Sequence, residues 1–100
     1  MQVEEVFVEI EGYPNYAVSN YGTVVNAKHN RDLKPWVHSK NVGKLIVKLS
    51  RNGVAKNFFV HRLVAQAFFV NYGEEVDVRH ISGDYSDNCV TNLHLVERDG

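Results

Sequence analysis

Apolar and polar positions first alternate near the N-terminus, where Val6, Val8 and Ile10 alternate with Phe7 and Glu9, the two-residue period of a strand with one buried face. Gly12-Tyr13-Pro14-Asn15 then reads as a turn and Tyr16-Ala17-Val18 as a short strand. Asn20-Tyr21-Gly22 is a second turn, since Asn and Gly accept positive φ, and residues 23–27 form its partner strand. Residues 1–27 are thus expected to form a small β-meander. Lys28 to Asp32 is a polar loop, and Leu33 to Val37 is a short extended piece that Pro35 confines to a sheet edge or keeps outside any ladder.

The alternation is clearest from Lys44 to Leu49, with Leu45, Val47 and Leu49 on one face and Lys44, Ile46 and Lys48 on the other. Asn52-Gly53 is a favoured two-residue hairpin turn, so Val54 to Val60 is the returning strand. From His61 to Phe69 the period becomes helical. Leu63, Val64, Ala67 and Phe68 form a stripe that predicts core burial, and Asn71-Tyr72-Gly73 ends the helix. Val76 and Val78 alternate with Asp77 and Arg79, and Leu93 and Leu95 with His94. These two short strands enclose a turn-forming cluster of Ser82, Gly83, Asp84, Ser86, Asp87 and Asn88. The predicted architecture is α+β: a meander, a hairpin, one core helix, then a strand–loop–strand finger.

One hundred residues at 44% hydrophobic suffice for a single domain with a modest core. Within it, 1–27 is an N-terminal β module, 28–60 a basic hairpin region and 61–100 the finger region. There is no 18-residue apolar run to span a membrane, and Glu4 and Glu5 stand where a signal peptide is basic. The lone Cys89 excludes an internal disulfide and a cysteine-based zinc site, and it suits a reducing compartment. The net charge of −1 hides a segregation: −4 over residues 1–27, +8 over 28–62 and −5 over 63–100. The cations of the middle, Lys28, Arg31, Lys34, Lys40, Lys44, Lys48, Arg51, Lys56 and Arg62, are therefore candidate DNA contacts. The competing reading is ordinary solubilising charge. Lys44, Lys48 and Lys56 fall on exposed parts of one hairpin, and a two-stranded ribbon can enter the major groove, so that hairpin is the candidate DNA platform.

The candidate chemistry sits in the finger. His80 closes the first strand, and Asn88 and Asn92 return to it from the loop and the second strand, a pocket suited to a general base with amide partners. His61, at the start of the helix, either packs beside that pocket or is a satisfied structural histidine, the commoner of the two.

The stretch Val78 to Val96, VRHISGDYSDNCVTNLHLV, resembles the HNH nuclease motif in the form carried by phage and intron-encoded homing endonucleases. The matching residues are Val78, His80, Gly83, Asp84, Asn88, Asn92, Leu93 and Val96. HRLVAQAFF, from His61, is similar to the helix preceding that motif, and FVEIEGYPNYAVSNYGTVV, from Phe7, to the family's N-terminal module. The resemblance implies metal-dependent hydrolysis of double-stranded DNA in the cytoplasm of a phage-infected or bacterial cell. His80 would be the base, Asn92 would orient it and Asn88 would steady the loop. The divalent ion would be Mg²⁺ or Mn²⁺, with Asp84 and Asp87 as candidate ligands. The N-terminal module would be structural and DNA-contacting, against the alternative of a plain meander supplying core.

Two departures stand out. Arg79 occupies the position where many homing-type members carry a metal-binding Asp, and Ser82 a position where Asp is frequent. Only Glu97-Arg98-Asp99-Gly100 follow Val96, so the resemblance implies two strands of a ββα-metal finger without its last helix. A second reading follows: a catalytically degenerate relative that binds DNA, or a protein partner in a regulatory or inhibitory role.

Overall fold

The computed structural model describes residues 4–37 and 43–98. Strands β1 (Phe7–Ile10), β2 (Tyr13–Ser19), β3 (Val24–Asn26) and β4 (Arg31–Asp32) form an antiparallel sheet in that order. The Gly12–Asn15 turn expected from sequence is displaced: β2 already begins at Tyr13, and Glu11-Gly12 alone reverses the chain. Pro14 is tolerated in this central strand because the ladder slips there. Ile10 faces Tyr13 while Glu9 faces Ala17, so Pro14 lies in the irregularity where no partner requires its missing N–H. The polar loop is shorter than expected, since Arg31 and Asp32 pair with Asn26 and Val25.

A second antiparallel sheet holds β5 (Trp36–Val37), β6 (Leu45–Arg51) and β7 (Val54–Phe59). Its turn is at Asn52-Gly53, with φ of 53° and 78°. Positive φ at both positions matches the right-handed twist of the flanking strands. The expected facing of this hairpin needs one correction. Ile46 is buried together with Val47 and Leu49, because Trp36 lies opposite it on one side and Phe59 on the other. Both faces of β6 are therefore covered near its start, at Ile46 and Val47, while Lys48 is exposed.

Chain direction then changes without a linker. Phe59 ends β7 in extended geometry and is also the N-cap of helix α1 (Val60–Phe68), one residue earlier than the spacing predicts. The helix stops at Phe68, with Phe69 extended, so Gly73 does not form its cap. Strands β8 (Val76–His80) and β9 (Leu93–Glu97) pair as a separate two-stranded sheet, with His80 opposite Leu93 and Arg79 opposite His94. A short 3₁₀ turn (Val90–Asn92) leads into β9.

The core gathers all three sheets around α1: Ile10, Tyr16, Val18 and Val24 from the first, Val47 and Leu49 from the second, Val78 and Leu93 from the finger, and Val60, Leu63, Val64 and Ala65 from the helix. Burying each Val or Leu here contributes about 1.5–3 kcal/mol relative to leaving it exposed. Polar ties join the first two sheets: Ser50 N donates to the Tyr16 hydroxyl at 3.2 Å, and Arg51 Nη1 donates to Gly12 O at 2.6 Å.

Candidate functional site

The finger has few apolar side chains to hold it, and its loop is built from side-chain-to-backbone hydrogen bonds. Asn92, buried at the end of the 3₁₀ turn just before β9, closes the loop at both ends. Its Oδ1 accepts from Ser82 N at 3.0 Å and its Nδ2 donates to Asp87 O at 2.9 Å. Its main-chain oxygen accepts from Ile81 N at 2.7 Å. Between those points Asp84 Oδ1 accepts from Ser86 N and Ser86 Oγ, and Asp87 Oδ1 accepts from Cys89 N. These are Asx turns, in which the short carboxylate replaces a backbone partner.

His80, at the end of β8, meets the loop through Asn88. Its Nε2 lies 2.7 Å from Asn88 Oδ1, and Asn88 is buried. A carbonyl oxygen only accepts, so Nε2 carries the hydrogen and the lone pair of the neutral ring is at Nδ1. The two asparagines thus make contacts opposite to those expected: Asn88 touches the histidine, and Asn92 staples the loop.

Rings extend the site in a continuous row. Phe59 lies 5.3 Å from His61, His61 lies 5.1 Å from His80 in an edge-on contact, and His80 lies 5.2 Å from Tyr85. Lys44 Nζ sits 5.7 Å from the Tyr85 ring centre. His61 therefore packs beside the site, and it is not a satisfied structural histidine: its Nδ1 is sealed from solvent with no hydrogen-bond partner among the described residues. Burial first, and then the nearby His80 imidazole and the cations Lys44 and Arg62, push its pKa down to about 3. It is a neutral wall of the pocket. Tyr85 was not singled out by sequence reasoning, because an aromatic inside a turn-forming loop carries no periodic signal.

Around His80 is a groove of about 410 Å³ lined by Lys44, His61, Arg62, Asp77, Val78, Arg79, His80, Gly83 and Tyr85. Three cations and one carboxylate make it electropositive. Asp77 is engaged by Arg98 at 2.8 Å and Arg62 at 3.7 Å, and its carboxyl is held below the usual range chiefly by the Arg98 hydrogen bond. A larger hollow of about 700 Å³ at the far end of the finger is lined by Glu74, Glu75 and Glu97 among others, and those carboxylates would repel a phosphate chain.

The remaining cations are dispersed. Lys48 and Lys56 do not share a face: Lys56 lies opposite Leu49, and Lys48 opposite Asn57. Lys44 belongs to the groove, so the three lysines do not form one ribbon surface. Arg51 is tied to Gly12 and stacks 5.0 Å from the Tyr13 ring. Lys28, Arg31 and Lys34 are exposed on the first sheet and the segment following it. Lys40 lies outside the described residues. Arg79, absent from the expected DNA contacts, joins Lys44 and Arg62 at the groove.

The metal candidates do not converge. Asp84 and Asp87 are exposed and spend carboxylate oxygens on their own turns; the Ser86 hydrogen bonds hold the Asp84 carboxyl below its usual range. Among the described residues no three His, Cys, Asp or Glu side chains group as an ion would need. Arg79, next to His80, cannot ligate a cation. The donor set described does not fit the divalent ion that the resemblance implies.

A β-sheet module packed on a helix, followed by a two-stranded finger presenting a histidine held by an asparagine, defines the class. Residues 5–53 match the NUMOD4 motif. The chain is 37% identical over 89 residues to the DNA endonuclease I-HmuI of Bacillus phage SP01, covering 88% of this chain and 50% of that one. It is 34% identical over 84 residues to an uncharacterised HNH endonuclease, L245, of Acanthamoeba polyphaga mimivirus, covering 84% of this chain and 25% of that protein. The solved structure described as DNA binding and cleavage by the HNH homing endonuclease I-HmuI superposes with a TM-score of 0.84 at 36% identity, covering 92% of this chain and 52% of its own. The chain belongs to the HNH homing endonuclease family, and it spans about half or less of the length of these relatives.

Proposed function

We propose that this chain binds double-stranded DNA and supplies the histidine finger of a phosphodiester-cutting HNH endonuclease. The observation carrying this reading is the 2.7 Å contact of His80 Nε2 with Asn88 Oδ1 at the rim of a groove bearing Lys44, Arg62 and Arg79. The cations attract a phosphate to the groove, and Nδ1 of His80 takes a proton from the attacking water. Asn88 fixes the ring, and Asn92 keeps the loop closed. Tyr85 and His61 wall the imidazole on either side. A divalent ion, Mg²⁺ or Mn²⁺, enters this reading through the family, and the described residues supply no ligand set for it. The setting is the cytoplasm of a bacterial or phage-infected cell, and no described helix is long and apolar enough to cross a membrane.

The test is incubation with supercoiled plasmid and Mg²⁺ or Mn²⁺. Wild type relaxes or linearises the plasmid, and His80→Ala loses about 10²–10⁴-fold in rate. Equal cutting by His80→Ala refutes the assignment.

Arg79 beside His80 and the dispersed carboxylates favour one second reading, a relative that binds DNA without cutting it. That reading gains if wild type binds but leaves plasmid intact with either ion. In both readings binding weakens with salt, log K falling by about 0.9 per phosphate neutralised. Lys44→Glu with Arg79→Glu weakens it more than Lys48→Glu with Lys56→Glu.

A further inference from the structure

We propose that the Ser19–Gly22 turn of the N-terminal module is a positioning element for His80, acting through Asn88. The proposal rests on reading His80 as the site's base, but its test reads ring geometry and not cutting, so the two can fail separately.

Three contacts carry it. First, the turn lies directly on the backbone of Asn88. A Cβ built on Gly22 would lie 2.9 Å from Asn88 Cβ, closer than real Cβ atoms approach, and 3.0 Å from both its carbonyl carbon and oxygen, tighter than nearly all real contacts. Gly22 has φ of +90°, so a glycine answers both the conformation and the close approach. Second, Asn20 O accepts from Val90 N at 2.8 Å, which anchors the chain two residues beyond Asn88 to the same turn. Third, the turn is itself held firmly from within. The fully buried Ser19 hydroxyl accepts from Tyr21 N and Thr23 N, each at 3.1 Å, and donates to Glu5 Oε2 at 2.7 Å. The Asn20 side chain accepts from Val6 N at 2.7 Å and donates to Glu4 O at 3.1 Å.

The consequence is a relay of fixed positions. Asn88 offers His80 its oxygen at 2.7 Å only while its backbone rests on Gly22. The meander then has a third role beside supplying core or touching DNA: it is the floor of the histidine site, joined to it across more than sixty residues of sequence.

The experiment is long-range ¹H–¹⁵N NMR of the His80 imidazole at a pH where the ring is neutral. It compares wild type, Gly22→Ala, Gly53→Ala and Asn88→Ala. Gly53→Ala is the control, since Gly53 has φ of +78° but no atom of the described residues within 4 Å of an added Cβ, so it carries the backbone strain without the collision. Wild type and Gly53→Ala show the Nε2–H tautomer. Gly22→Ala shifts the ring nitrogens toward the values of Asn88→Ala. A folded Gly22→Ala with wild-type His80 signals overturns the proposal. If Gly22→Ala does not fold, Ser19→Ala, which loosens the turn without a collision, decides. A His80 shift in the Asn88→Ala direction supports the relay, and unchanged signals overturn it.

Discussion

The β6–β7 hairpin and the β8–β9 finger are both two antiparallel strands, yet they are held by different forces. The hairpin has Val47 and Leu49 fully buried beneath it, Ile46 covered by Trp36 and Phe59, and a turn whose residues adopt the required positive φ unaided. The finger buries only Val78 and Leu93 among its strand residues, and its long loop is shaped by Asn92, Asp84, Asp87 and Asn88 bonding to backbone or to His80. Burial is non-directional and tolerates small shifts. Hydrogen bonds fix position within a few tenths of an ångström, which the role proposed for His80 as a base requires. The chain uses burial for the frame and hydrogen bonds for the site.

The sharpest way to break that comparison is to remove one support from each side. Leu49→Ala leaves a cavity in the shared core, and unfolding by urea should show a loss of about 2–5 kcal/mol. The loss should fall on the whole molecule, so finger and hairpin amides lose hydrogen-exchange protection together. Asn92→Ala leaves Ser82 N and Asp87 O unpartnered, and the expected loss is about 1–3 kcal/mol. Here exchange should rise in the loop while hairpin amides keep their protection. Equal exchange increases in both regions would remove the distinction.

A pH series sharpens it next. His61 binds its proton far more weakly in the folded chain, at about 3 against an ordinary 6.5. Below 6.5 the unfolded chain takes up a proton that the folded chain refuses, so this stability is full above 6.5 and declines as pH falls from there toward 3. The slope is at most about 1.4 kcal/mol per pH unit. Asp77 and Asp84, both lowered from 3.8, act in the same direction but only as pH falls below that value. Denaturant unfolding between about pH 7 and pH 5 therefore isolates the histidine, and His61→Phe should flatten the slope. The smallest effect expected is at Arg51, exposed and stacked on Tyr13: Arg51→Ala should cost about 0.5–1 kcal/mol, read as a small shift in the same unfolding curves.

The same division explains what could be read from the sequence. The Leu45–Leu49 alternation and Asn52-Gly53 specify the hairpin because period and turn chemistry are local. The helix was visible for the same reason, and its start was misplaced by one residue because Phe59 serves strand and cap at once. The finger's strands and His80 were legible through the spacing of the motif. Which asparagine touches the histidine was not, since Asn88 and Asn92 have the same chemistry and only the loop's path assigns their partners. The basic middle was visible as a charge total, but a total does not say that Lys48 and Lys56 point to opposite faces or that Lys44 turns toward Tyr85. His61 was open to two readings, and burial against His80 decided between them. Gly22 read as a turn residue, and nothing local reveals that Asn88 rests upon it.

The central claim is that Asn88 fixes His80 with its free lone pair at Nδ1. The imidazole ¹⁵N spectrum of the wild-type chain, set beside that of Asn88→Ala, tests it without DNA, metal or turnover. A single Nε2–H tautomer is expected in the wild type and a mixture of tautomers in Asn88→Ala. A wild-type ring protonated at Nδ1, or spectra that do not change when Asn88 is removed, would contradict it.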